Sequence, residues 1–203
     1  NYQIILAKPA YVGTHTGPYF QYSTHLMPSA ETLKKQPRFF RSIGSTTEKY
    51  VYSATNISKS TWHHVAGVYD GSTMKIYLDG EETGIYSVSG TPTARNTPVR
   101  IGANGAPGEF FGGKIDDARV YTKSLSLREI KKIYTGCADE CVSGARECYG
   151  GGYRICGEYD NNIDPCDEWS TVTNCQANEN CQSGICVPCT NECPMGGKRK
   201  CNG

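Results

Sequence analysis

Residues 61–84 read TWHHVAGVYDGSTMKIYLDGEETG. Two short runs rich in β-branched and aromatic residues, Trp62 to Tyr69 and Met74 to Leu78, are separated by Asp70-Gly71, and Asp79-Gly80 follows the second. Asp-Gly pairs favour tight turns because both residues tolerate positive φ, so the neighbouring runs are antiparallel and form a meander rather than β-α-β crossovers. Trp62, Val65, Ala66, Val68 and Tyr69 place apolar groups on both faces of the first run, the pattern of a strand covered on two sides.

The same texture extends in both directions. Runs at Tyr2 to Ala7, Tyr19 to Tyr22, Arg38 to Ile43, Lys49 to Ser53, Ile85 to Val88, Val99 to Ile101 and Lys114 to Tyr121 are broken by Gly, Pro, Asn and Asp. With the first two, these suffice for two stacked sheets. One helix closes the region: in SLSLREIKKIYTG, residues 124–136, Ser126 and Glu129 form a capping box. Leu127, Ile130, Ile133 and Tyr134 make its apolar stripe, and Gly136 is its stop. The fold class is therefore all-β, a two-sheet antiparallel sandwich with one short helix at its end.

All 11 cysteines lie between Cys137 and Cys201. The domain expectation follows: a β-sandwich at 1–136 that needs an apolar core, then cysteine-rich sequence that relies on crosslinks. Cys137-x3-Cys141-x6-Cys148 recurs as Cys189-x3-Cys193-x7-Cys201, a period of 52 residues. A first repeat at 137–188 thus holds eight cysteines, Cys137, Cys141, Cys148, Cys156, Cys166, Cys175, Cys181 and Cys186, and residues 189–203 begin a second. Zinc sites predict repeated C-x2-C pairs, whereas Cys186 and Cys189 form the single one and no histidine follows Cys137. Disulfides are expected, in an extracellular or cell-surface setting, with the pairing open among 105 possibilities.

Residues 1–136 carry 16 basic against 10 acidic side chains, and 137–203 carry 5 against 10. Neither excess forms a block, so nucleic acid is not an expected partner. No apolar run reaches the roughly 18 residues of a membrane span.

The segments TWHHVAGVYDGSTMKIYLDGEETG, VRIGANG and FFGGKIDDARVYTKSLSLREIKKIY, in that order and spacing, resemble the laminin-G-like, concanavalin A-like jelly-roll domain of secreted proteins, over roughly residues 1 to 135. The resemblance implies two curved antiparallel sheets and a role as a carbohydrate- or protein-binding module. It also implies strands before the point matching Ile4-Ile5-Leu6, so Asn1 is expected to fall inside the domain, with preceding residues or another chain completing open sheet edges. The cysteine-rich part is similar to repeats in predicted surface proteins of uncultured prokaryotes, especially archaea.

Some concanavalin-like sandwiches hydrolyse glycosides with alternating carboxylates on one strand. No E-x-D-x-x-E run occurs here, and the adjacent pairs Glu81-Glu82 and Asp116-Asp117 point to opposite sides of a strand. His63 and His64 lack the i, i+4 spacing of a metalloprotease pair. The chain is therefore read as no enzyme. Calcium is a candidate cofactor because hard cations want oxygen ligands; family position nominates Asp116 and Asp117, part of whose site would lie in the absent start. Tyr11, Tyr19, Tyr22 and Tyr86 are aromatic material for stacking on sugars, although core packing is the commoner use of such residues. Asn56-Ile57-Ser58 is a glycosylation sequon.

These readings converge on a non-catalytic extracellular binding or adhesion module, part of a larger surface or secreted protein, whose partner is a glycan or an extracellular protein. A structural subunit of an extracellular layer or fibre, self-assembling by strand completion, is the alternative, and an accessory domain of a secreted glycoside hydrolase the third.

Overall fold

Alternation along the early strands separates an inward from an outward face, and the computed structural model shows where each goes. It describes residues 2–10, 19–28, 35–44, 47–92, 94–104, 109–159 and 164–188, in two units, Asn1–Tyr134 and Thr135–Gly203. Tyr11 and the start of the second cysteine repeat, 189–203, lie outside the described residues.

In the first unit, β1 (Gln3–Pro9), β2 (Phe20–Pro28), β3 (Lys35–Ile43), β4 (Thr47–Tyr52) and the two-residue β8 (Arg100–Ile101) form an antiparallel sheet in the order β4-β3-β2-β1-β8. The intervening β5 (Val65–Tyr69), β6 (Thr73–Leu78) and β7 (Glu81–Ser87) make a second antiparallel sheet, the meander read from residues 61–84. β4 packs over β6 and β7, β3 over β5 and β6, and β2 reaches β5. The result is an all-β, jelly-roll-like sandwich.

Its core follows from the alternation. Phe39 and Val51 of the larger sheet meet Met74 and Ile76 of the smaller, with Tyr22, Val65, Tyr69 and Val88 around them. The opposite face of β5 and β6 is covered as well: Val68 and Tyr77 pack with Ile130 of α1 (Leu127–Thr135), flanked by Ala66 and Leu125. This is why residues 65–69 are apolar on both sides.

The turns behave as their chemistry dictates. Asp79 (φ 52) and Gly80 (φ 82) both take positive φ between β6 and β7. At Asp70-Gly71 only the glycine does (φ 101), because Asp70 Oδ1 instead accepts the Ser72 and Thr73 amides at 2.8 and 2.7 Å. The capping box of α1 is reciprocal: Glu129 N–H donates to Ser126 Oγ (3.2 Å) and Ser126 N–H to Glu129 Oε2 (2.8 Å). Of its expected apolar stripe Ile130 is buried, whereas Leu127 and Tyr134 are exposed.

Two expectations need correction. Trp62 lies before β5 and is exposed, because regular pairing begins only at Val65. Residues 114–121, read as a strand, form none. Asp117 sits at φ 47, outside the β region, and Val120 and Tyr121 face solvent rather than a partner strand. Among the described residues β5 is consequently an edge strand, paired with β6 alone.

The second unit has little apolar core. β9 (Arg146–Tyr149), β10 (Gly152–Gly157), β11 (Glu168–Trp169) and β12 (Thr173–Asn174) make one small sheet, and β13 (Glu179–Gln182) with β14 (Ile185–Pro188) a hairpin. Disulfides join Cys137 to Cys166, Cys141 to Cys156, Cys148 to Cys181 and Cys175 to Cys186, using all eight cysteines of the first repeat. Cys181 and Cys186 face each other in the hairpin yet bond elsewhere, so the hairpin is tied to β9 and to the chain just after β12.

Candidate functional site

Because Phe39 and Val51 point inward, their neighbours Arg38, Phe40, Tyr50 and Tyr52 lie on the outer face of the five-stranded sheet, where Phe40 is itself buried against Ile4, Ala7 and Phe20. Register then sets the row. Ile4 pairs with His25, His25 with Arg38 and Arg38 with Tyr52, while Tyr50 stands opposite Phe40.

The Arg38 guanidinium carbon lies 5.0 Å from the ring centre of Tyr50 and 5.6 Å from those of Tyr2 and Tyr52. Tyr50 and Tyr52 meet edge to face at 5.3 Å. The three rings remain substantially exposed, at 41% for Tyr2, 45% for Tyr50 and 38% for Tyr52. They form an open aromatic surface around a cation.

Beneath it, His25 is almost completely buried, at 1% exposure. Arg38 Nε donates to His25 Nε2 at 2.6 Å, so the ring proton belongs on Nδ1 and is given to Ser23 Oγ at 3.0 Å. Burial, and then the Arg38 charge, push the His25 pKa down to about 3. His25 is thus a neutral acceptor that aims the arginine. Above pH 6.5 it is uncharged in both folded and unfolded chains. Below that the unfolded chain takes up a proton that the folded one refuses until about pH 3. Stability of the sandwich therefore falls as pH drops from about 6.5 towards 3, and His25→Gln flattens that slope in thermal melts run across the range.

β1 to β4 place one carboxylate on this outer face, Glu48, whose Oε1 already accepts the Tyr19 amide at 2.5 Å. The other acidic pairs are engaged elsewhere. Glu81 pairs with Lys131 and Glu82 with Lys75, both at 2.8 Å. Neither pair offers two acids facing each other across a cleft, which glycoside hydrolysis requires.

The nominated residues are dispersed. Asp116 Oδ1 accepts the Asp117 amide (2.8 Å), and Asp117 Oδ1 accepts from Arg119 Nε (2.7 Å), all exposed. Among the described residues no third carboxylate, histidine or cysteine joins them in a cluster able to hold an ion. Two carboxylates, one already paired, do not by themselves meet the six to eight oxygens that calcium takes. The cluster that does form, Cys137, Asp164 and Cys166, has its two sulfurs joined as a disulfide and no thiolate to offer.

Asn56 is half-buried where Ile57 bridges to Lys35. Tyr22 packs into the sandwich core, whereas Tyr19, just before β2, and Tyr86, in β7 of the other sheet, are exposed. His64 stacks on Tyr134 at 5.9 Å. His63 is bonded through Nε2 to Ser58 Oγ (3.1 Å) and through Nδ1 to Asp79 Oδ2 (2.8 Å). That is the order of a hydrolase triad, but Asp79 Oδ1 also holds the His64 amide (2.8 Å), and the arrangement ties the β6–β7 turn to the approach to β5.

The cage around Arg38 was not among the sequence candidates. Tyr50-Val51-Tyr52 alternation places two tyrosines on one face, but their meeting with Arg38 depends on a register that composition does not specify.

Residues 5–131 match the family described as the concanavalin A-like lectin/glucanases superfamily. The chain belongs to this superfamily. A 99-residue stretch of the lectin-like chain is 28% identical to part of the adhesion G-protein coupled receptor V1 of Danio rerio, covering 47% of this chain and 2% of the receptor. A crystal structure of residues 221–444 of an S-layer domain-containing protein from Clostridium thermocellum ATCC 27405 is 20% identical, with a TM-score of 0.32 and 63% of each chain covered. The first unit is a module of lectin-like fold. Its four-disulfide companion belongs to an oxidising, extracellular setting. No helix among the described residues is long and apolar enough to cross a membrane.

Proposed function

We propose that the chain is an extracellular carbohydrate-binding module that uses the outer face of its five-stranded sheet. The observation that carries this is the grouping of Tyr2, Tyr50 and Tyr52, exposed side by side around Arg38. Aromatic rings with one wet face offer flat apolar area to a sugar ring, and their hydroxyls reach its polar groups. The disulfide-braced repeat serves as a rigid spacer in a larger surface protein.

A glycan array probed with and without EDTA tests this. Binding that Tyr50→Ala reduces tenfold or more supports the face. Loss of binding in EDTA brings calcium at Asp116 and Asp117 into the proposal, whereas silence in both conditions overturns carbohydrate recognition.

The edge position of β5 favours a second reading, a structural subunit whose sheet is extended by a strand from outside the described residues. Concentration-dependent assembly in sedimentation, without glycan binding, supports that reading over the first.

A further inference from the structure

We propose that the face around Arg38 selects acidic saccharides, with the guanidinium receiving the carboxylate of a uronate while the sugar ring lies against Tyr50 and Tyr52. This rests on the carbohydrate-binding reading above and deepens it.

Arg38 is only partly hydrogen-bonded. Its Nε is spent on His25 and its Nη1 lies 3.4 Å from the Tyr52 hydroxyl, at the weak limit of a hydrogen bond. Among the described residues Nη2 has no partner, and no carboxylate pairs with Arg38. The same chain shows what a satisfied version looks like. In the second unit Arg154 is stacked between Tyr149 (4.4 Å) and Trp169 (4.7 Å), and its guanidinium is held by Glu147 through Nε (2.7 Å) and Nη2 (2.5 Å). Among the described residues, Arg38 has the aromatic walls without the acid. A planar fork held in one orientation from below, with exposed tyrosine rings around it and no counter-ion among the described residues, is suited to receive a carboxylate in paired hydrogen bonds.

The ligand class follows from the surroundings. Three tyrosines widen the site to several rings, more than a lone carboxylate needs. The platform lies on the faces of β3 and β4, where side chains rather than backbone groups are presented, although β4 is itself an edge strand among the described residues. A pyranose bearing a carboxylate uses both parts at once, which favours an acidic glycan over an acidic protein.

The test titrates the full chain with polygalacturonate, fully methyl-esterified polygalacturonate, dextran sulfate and polyglutamate, following heat by calorimetry. Polygalacturonate is expected to bind at least tenfold more tightly than its ester and than either other polymer, more weakly as salt rises. Arg38→Gln removes that preference, and Arg38→Lys, which keeps the charge but loses the fork, restores only part of it. Because Arg38 supports a buried histidine, Tyr50→Leu is the second variant: it leaves that bond alone and weakens polygalacturonate tenfold or more. Equal affinity for the neutral ester overturns acid selection while leaving carbohydrate binding intact, and failure of both galacturonates overturns both. Equal or tighter binding of polyglutamate moves the assignment to acidic protein, and of dextran sulfate to sulfate; either overturns the uronate.

Discussion

Reduction of the four disulfides unfolds the second unit and leaves the sandwich intact. The first unit has no cysteine, whereas the described residues of 135–188 bury few apolar side chains beyond their cystines. The closed loops span 11 to 33 residues, so each crosslink contributes roughly 3 kcal/mol by restricting the unfolded chain. Removing them together exceeds the few kcal/mol that a unit this small can hold. After treatment with a phosphine reductant, limited proteolysis read by mass spectrometry should cut within residues 137–188 and spare residues 1–134. The double variant Cys148→Ala, Cys181→Ala, which frees the β13–β14 hairpin from β9, should lower the unit's stability by about 2–5 kcal/mol. A reduced chain whose second unit resists cleavage, or whose sandwich is lost with it, contradicts the division of labour between core and crosslinks.

The second large effect is at Phe39. Its ring is buried between the sheets among Val51, Met74 and Ile76, and it lies so close to β5 that a Cβ on Gly67 would fall 2.3 Å from it. Phe39→Ala removes the central side chain and leaves a cavity, costing about 3–5 kcal/mol. Gly67→Val fails for the opposite reason, since the added carbons need space that Phe39 occupies. Both should lower the melting temperature of the sandwich by about 10 °C or more, at roughly 2–8 °C per kcal/mol. A shift below about 2 °C in Phe39→Ala would place the core elsewhere.

These residues show what is legible in a sequence. The Asp-Gly pairs fix the meander that carries Met74 and Ile76, and the other runs are short, rich in β-branched and aromatic residues and bounded by turn residues, so local pattern was enough to find the sandwich even though Phe39 is followed by apolar Phe40. The Lys114 to Tyr121 run has equally good strand composition but no partner to pair with, and pairing is a non-local property. Register hid the candidate site in the same way. Arg38, Tyr52 and His25 are 13 or 14 residues apart, and only β2–β3 and β3–β4 pairing puts them in one row. Individual tyrosines were visible; Tyr22 proved to be core and Tyr50 and Tyr52 surface, a difference set by which face of each strand looks inward. The cysteine repeat fixed which residues are crosslinked but not to whom, because Cys181 and Cys186 pass over their nearest neighbour in the hairpin.

The claim that the outer face of the five-stranded sheet is the binding surface is tested most directly by nuclear magnetic resonance mapping. Polygalacturonate oligomers are titrated into labelled protein and each backbone and tyrosine-ring signal is followed. Shifts are expected to concentrate at Tyr2, Arg38, Tyr50 and Tyr52 and to leave residues 116–117 and the disulfide unit unmoved. Saturable shifts confined to residues 116–117, or to the second unit, with the Arg38 row silent, would contradict it.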